Sequence, residues 1–431
     1  MMKRLLPLLI ACCCASAIAP AFSAEAVTLR FSWWGGKDRH QATLAALQAF
    51  EAKYPDIKVK AEYTGWEGYF SRLTTQINSG TEADLIQTNW NWLTLMSRKG
   101  DGFYDLNKLA GTLDLKQFSP AALATTTVNG KLNALPLSTN VMGFYYNQAS
   151  WQKAGLPLPK SWDELLAAGT VFKEKLGDNA YPIYVGEQDC MLLVFSWMYQ
   201  QDQKPMIDVN RKRLAWDRAD LTRAFGFYKK LVDNHVLPDT KVLASYGAKS
   251  TPIYELKPWM EGEWAGSYNW NVLYPSQSVT LKNPADLVPG PYPLLPGAKD
   301  AGQFRKTAIM YSIGRTTKHP KEAAALLNFL VNEPEGVIPV GLERGAPLSQ
   351  AADKLLREKG ILQDSDPVIA GLLQSYALPN NFVATPYMED MQFGALFTAV
   401  REKIDYGKMS VEDAASDFEQ QANRILKRVM R

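Results

Sequence analysis

Tryptophans placed where strands give way to loops are the residues of this chain best suited to gripping a ligand. Phe31 to His40 reads FSWWGGKDRH: an apolar run ends on Trp33 and Trp34 before two glycines and a basic turn. The pattern recurs at Asn89-Trp90-Asn91-Trp92, directly after the apolar run Asp84 to Thr88. Indole is large and apolar yet carries one N–H, which suits a half-wet cleft. A core would hold such rings in mid-strand, whereas these stand at the rim. Trp66 and Trp270 also fall at turns. Each ring has a competing role as a cap over the core, and strand alternation turns one member of each pair inward.

Bond-breaking chemistry finds less support. His40, His235 and His319 are far apart, with no HExxH or Cys/His spacing, so no zinc site is expected. Neither GxGxxG nor a P-loop is present, and no cofactor is expected; a GxSxG elbow is also missing. Asp101 and Asp105 have the wrong spacing for a calcium loop. Glu67, Asp189, Glu261, Glu263 and Asp390 lie near aromatics, but no two are spaced as a local pair for glycoside cleavage.

The elements that must position these residues alternate in kind. Val27 to Trp33, Ile57 to Tyr63 and Asp84 to Thr88 read as strands; Gln41 to Lys53 and Trp66 to Ile77 between them read as helices. This predicts an α/β fold with mostly parallel sheets. In such sheets a ligand sits outside the carboxyl ends of the strands, where Trp33, Trp34, Trp90 and Trp92 fall. Further strands are expected at Lys131 to Leu137, Val141 to Tyr146 and Ala308 to Ile313. Ser161-Trp162-Asp163-Glu164 is a capping box opening a helix. Asn283 to Gly297, rich in Pro and Gly, reads as a connector; Met388 to Ile404 and Ser410 to Met430 read as closing helices.

The 431 residues suffice for two or three domains, and the 46% hydrophobic and 21% charged content is ordinary for a globular protein. The formal charge of +3 falls to about +1 without Lys3 and Arg4, so no nucleic-acid partner is expected. Those two residues, the apolar run Leu5 to Ala19 and the small residues up to Ala26 predict a cleaved export signal over residues 1–24 and a periplasmic location. Leu9-Ile10-Ala11-Cys12 resembles a lipoprotein box, but the apolar run before it is short, and lipid anchoring at Cys12 is not expected. After processing only Cys190 remains, read as a buried inert thiol.

The segment PLSTNVMGFYYNQASWQKAGLPLPKSWDEL from Pro136 resembles the signature of the extracytoplasmic solute-binding proteins of family 1, carbohydrate receptors of ATP-driven importers. Pro136-Leu137-Ser138, Gly143, Phe144-Tyr145 and Tyr146-Asn147 carry the match; Trp151 departs from the usual aliphatic residue or Phe. MEGEWAGSYNW and the C-terminal helical region extend the resemblance over nearly the whole mature chain. Within the family, GWEGYFSRLTTQINSGTEADLIQTNWNW resembles receptors for oligogalacturonides, implying a short anionic uronic-acid oligomer as ligand. Receptors of the same family for neutral oligosaccharides, and secreted glycan-cleaving enzymes, stay open as alternatives.

The resemblance implies a two-lobed periplasmic-binding-protein fold of type II, with a ligand cleft between hinged lobes. Lobe one would take residues 27–137 and 291–344, lobe two residues 138–290 and 345–431, with Leu137-Ser138-Thr139 a hinge strand. It also implies a monomer that delivers its oligosaccharide to the permease subunits of an ABC transporter, and no catalysis. A sugar ring has an apolar CH face and a polar belt, for which Trp34, Trp66, Trp90, Trp92 and Trp270 are the stacking candidates. Asn89, Asn91, Asn140, Asn269, Gln188 and Asp189 are the polar candidates. A uronate carboxylate needs a cation; Lys37 and Arg39 are the first choices, Lys306 and Arg344 the next, each charge-assisted bond contributing about 1.5–3 kcal/mol.

Overall fold

The computed structural model describes residues 26–66, 68–187, 189–248 and 251–430. The expected export signal with Lys3, Arg4 and Cys12 lies outside the described residues, as do Glu67 and Gln188. The first lobe begins with β1 (Val27–Trp34), α1 (Lys37–Lys53), β2 (Ile57–Thr64), α2 (Tyr69–Ser79) and β3 (Leu85–Asn89). Along β1, Leu29, Phe31 and Trp33 alternate inward and are wholly buried. Thr43, Ala46, Leu47 and Phe50 form the buried stripe of α1, which stops before Pro55. β1 pairs in parallel with both β2 and β3. β3 then pairs antiparallel with Ile309–Ile313, which pairs antiparallel with Leu135–Pro136.

The second sheet is built on the long strand Thr139–Asn147. Gly266–Trp270, Leu287–Pro289 and Arg305–Thr307 all run antiparallel to it, and only Tyr184–Val185 joins in parallel, alongside Gly266–Trp270. The expectation of mostly parallel sheets is therefore corrected for this lobe. Thr139–Asn147 leads away from the crossings, and Arg305–Thr307 leads back to them, so the two lie antiparallel. The signature's Tyr-Asn has a local cause: Asn147 Oδ1 accepts from the Ser150 N–H (3.2 Å) and opens the helix Gln148–Ala154. Trp151 is buried and donates from Nε1 to Ala265 O (3.0 Å).

Three crossing segments lie side by side. Leu137 N donates to Ile309 O (2.9 Å), Ala308 N to Ser138 O (3.0 Å) and Leu348 N to Leu137 O (2.9 Å). Gly345, at φ +88°, sits against Ser138; a Cβ there would meet the serine side chain at 3.0 Å. Residues 292–303 do not pack with the first lobe as expected. Tyr292 Oη donates to Ser196 Oγ (2.9 Å), Leu295 N to Gln200 Oε1 (2.8 Å) and Gln303 Nε2 to Met142 O (2.7 Å). The Pro/Gly-rich connector thus wraps the second lobe, and the chain returns through Arg305–Ile309. Past the last crossing, residues 349–356 stay with the first lobe: Ser349 Oγ donates to Asn332 Oδ1 (2.7 Å) and Ala351 N to Gln117 Oε1 (3.0 Å).

Candidate ligand-binding site

The end of β1, the turn before α2 and the end of β3 bring their indoles together. Trp34 lies 5.3 Å from Trp66, edge to face, and 5.2 Å from Trp92; Trp66 and Trp92 stack at 5.7 Å. Tyr69 and Phe70 complete the group around Trp34 and Trp92. Trp66 is the exposed member, at 51%, so its ring forms the wet rim. Trp33 turns to the opposite face of the sheet, stacked on Tyr63 at 4.9 Å. Trp90 is buried and committed, its Nε1 donating to Thr125 O (2.8 Å). Asn89 Oδ1 and Asn91 Oδ1 are buried acceptors with no partner among the described residues. Such atoms favour a donor arriving with a ligand, as sugar hydroxyls would.

A second group faces out from the crossing strand. Asn140 is directly opposite Lys306, and Met142 directly opposite Trp270. Residues 140 and 142 share a face, so Asn140, Lys306 and Trp270 project on the same side of the sheet. The Lys306 ammonium lies over the Trp270 ring, 4.4 Å from its centroid, and pairs with the Glu389 carboxylate. Trp270 leans edge-on against Phe304 at 5.9 Å, and its N–H is held by Asn269 Oδ1 at 2.8 Å. Glu389 ends the turn Pro386–Glu389, which packs against Trp90–Met96 of the first lobe. A crevice of about 350 Å³ opens between the lobes beside the crossings, lined by Asn140, Val272, Ile309, Arg344 and Asp366 among others.

Asp189 opens the helix Asp189–Asp202 and faces the same ion pair. Burial, reinforced by the charge of Glu389 and opposed by that of Lys306, pushes its carboxyl up to about 7. The folded state therefore holds this proton better than the unfolded chain does. The stability it contributes is full below the unfolded value near 3.8 and is lost as pH rises through about 7. Asp189→Asn is accordingly expected to be more stable than the parent at pH 8 and to differ little at pH 4. Urea unfolding at the two pH values checks this; equal differences at both would refute it.

The expected cations are held in different ways. Arg39 lines the crevice beside the crossings, where Nε and Nη2 both donate to Glu343 O (2.9 and 2.6 Å) and tie α1 to the last crossing. Arg344, which also lines the crevice, is 5% exposed and donates to Gln87 Oε1 (2.8 Å) and Thr43 Oγ1 (3.0 Å) of the first lobe. Both guanidiniums meet acceptors that sequence spacing does not reveal, and Arg344 Nη1 is left without a partner among the described residues. Lys37 is exposed at the first turn of α1. Lys306 is at the site but is already neutralised by Glu389. Arg72 escaped the sequence reading; it sits over Tyr69 at 5.3 Å, with Nη2 buried and unpartnered among the described residues. Its position on α2, three residues after Tyr69, was the available signal. Glu389 gave none.

Two α/β lobes joined by three adjacent crossings, with aromatic rims and an ion pair beside them, define a hinged solute-binding protein. Residues 36–336 match the bacterial extracellular solute-binding protein family, and the chain belongs to it. It is similar to the periplasmic oligogalacturonide binding protein from Yersinia enterocolitica, solved in complex with saturated digalacturonic acid: 53% identity over 94% of this chain and 100% of that one, TM-score 0.85. A de novo designed cysteine esterase is 52% identical over 95% and 100% of the two chains, TM-score 0.90. An uncharacterised ABC transporter extracellular-binding protein of Pyrococcus horikoshii is 27% identical over 74% of this chain and 72% of its own length. The thiol of Cys190 is wholly buried and pushed up by burial, which leaves it protonated rather than nucleophilic.

Proposed function

We propose that this protein is a periplasmic receptor of an ABC importer that captures short oligogalacturonides and hands them to membrane permease subunits without cleaving them. The observation that carries the reading is the pairing of two surfaces: clustered indoles at Trp34, Trp66 and Trp92, and a lysine-capped indole at Trp270. The first suits the CH face of a pyranose, the second a ring bearing a carboxylate. The lobes, divided at residues 137–139, 305–309 and 344–348, close because ligand touches both. Moving the balance from 1:99 to 99:1 closed takes about 5.5 kcal/mol of differential affinity. The receptor works as an exported monomer and needs no cofactor.

One observation favours a receptor for neutral oligosaccharides instead: Glu389 already cancels the Lys306 charge. Calorimetry separates the two. Digalacturonate is expected to bind at least tenfold more tightly than maltotriose; equal affinities would favour the neutral reading. Incubation with trigalacturonate is expected to leave it intact, and shorter or unsaturated products would make the protein an enzyme.

A further inference from the structure

The Lys306–Glu389 pair raises a question that the receptor reading alone does not answer. Both side chains are largely buried, 11% and 16% exposed, beside a tryptophan ring. An ion pair in such a place recovers its desolvation only when its remaining donors and acceptors are satisfied. Here Glu389 uses one oxygen; Oε2 is buried with no partner among the described residues. Asp189 adds a second carboxyl facing the same lysine. The pair is thus imperfectly satisfied, where an ammonium lies over an aromatic face of the site.

The geometry resembles what a bound uronate would itself produce: a ring on Trp270 and a carboxylate on Lys306. We propose that Glu389 is a built-in stand-in for the ligand's carboxylate, holding Lys306 over Trp270 until a uronate displaces it. Lys306 is then the cation that sets acid selectivity, and Glu389 is the competitor that limits affinity. The inference rests on the receptor reading. Met388, 2% exposed, pins the turn that carries Glu389, so release of Lys306 needs only a change in the Glu389 side-chain rotamer. Glu389 belongs to the segment packed on Trp90–Met96, so the exchange takes place at a contact between the lobes.

The test is calorimetry with digalacturonate and its dimethyl ester. In Glu389→Gln, the ratio of ester Kd to acid Kd is expected to rise at least fivefold, because the lysine loses its internal competitor. In Lys306→Met the ratio is expected to fall at least tenfold. In the double variant, Glu389→Gln is expected to change nothing further. Thermal unfolding of each variant establishes that it folds; should Glu389→Gln not fold, the Lys306→Met ratio and Glu389→Ala carry the test. A parent protein that binds digalacturonate, with a Glu389→Gln ratio unchanged or lowered, overturns the stand-in and leaves the receptor reading in place. A parent that binds no digalacturonate overturns both.

Discussion

Trp270→Ala is expected to weaken digalacturonate binding by about 2 kcal/mol or more, some 30-fold in Kd. The ring is held rather than loose. Its backbone N–H is fixed by Asn269 Oδ1, one edge rests on Phe304, and the Lys306 ammonium covers one face. A side chain placed so rigidly loses little entropy when a sugar stacks on it, so most of the contact energy reaches the affinity. Removing it also takes away the platform under Lys306, so the acidic ligand should suffer more than a neutral one. Trp270→Phe, which keeps an aromatic face, is expected to recover part of the loss. Unchanged calorimetric affinity in Trp270→Ala would place the ring outside the site.

Gln87→Leu is expected to lower stability by about 3 kcal/mol. Gln87 is wholly buried in the middle of β3; its Oε1 accepts from Arg344 Nε (2.8 Å) and its Nε2 donates to Trp34 O (3.1 Å). Leucine fills nearly the same volume, so little cavity forms. The cost is electrostatic: a buried guanidinium N–H loses its partner, the Trp34 carbonyl keeps only the long contact from Arg39 Nη1 (3.5 Å), and an unsatisfied charged donor costs more than a neutral one. Arg344 already has one nitrogen, Nη1, without a partner, and no carboxylate pairs with it among the described residues. Because Arg344 belongs to the last crossing and Trp34 to the indole group, the same change should loosen both hinge and rim. Urea unfolding reads the effect, and a midpoint equal to the parent's would sink the account.

Much of the first lobe is legible because its cues are local. The inward alternation of β1 appears in the residue order, and so do Leu47 and Phe50 of the α1 stripe, whereas Leu44, which the same apolar spacing would bury, is exposed and Thr43 and Ala46 face inward. The residue order also shows the Ser161 cap, whose Oγ accepts from Glu164 N (3.2 Å); the Glu164 carboxylate, however, takes the N–H of Lys160 rather than of Ser161. The second sheet misleads, since a strand's direction depends on where the chain comes back, not on the strand's own residues.

The site divides in the same way. The order of residues alone determines that indoles end β1 and β3 and that Trp66 precedes α2, because strand and helix termini are set by short-range patterning. It also places basic residues at Lys37 and Arg39. Tertiary structure alone decides which partner each cation meets: Arg39 is drawn to the Glu343 carbonyl beside the last crossing, Arg344 to Gln87 and Thr43 of the first lobe, and Lys306 meets Glu389 across 83 positions of chain. A charge goes to the acceptor that lowers its desolvation most, and that acceptor is chosen by folding in three dimensions, not by sequence distance.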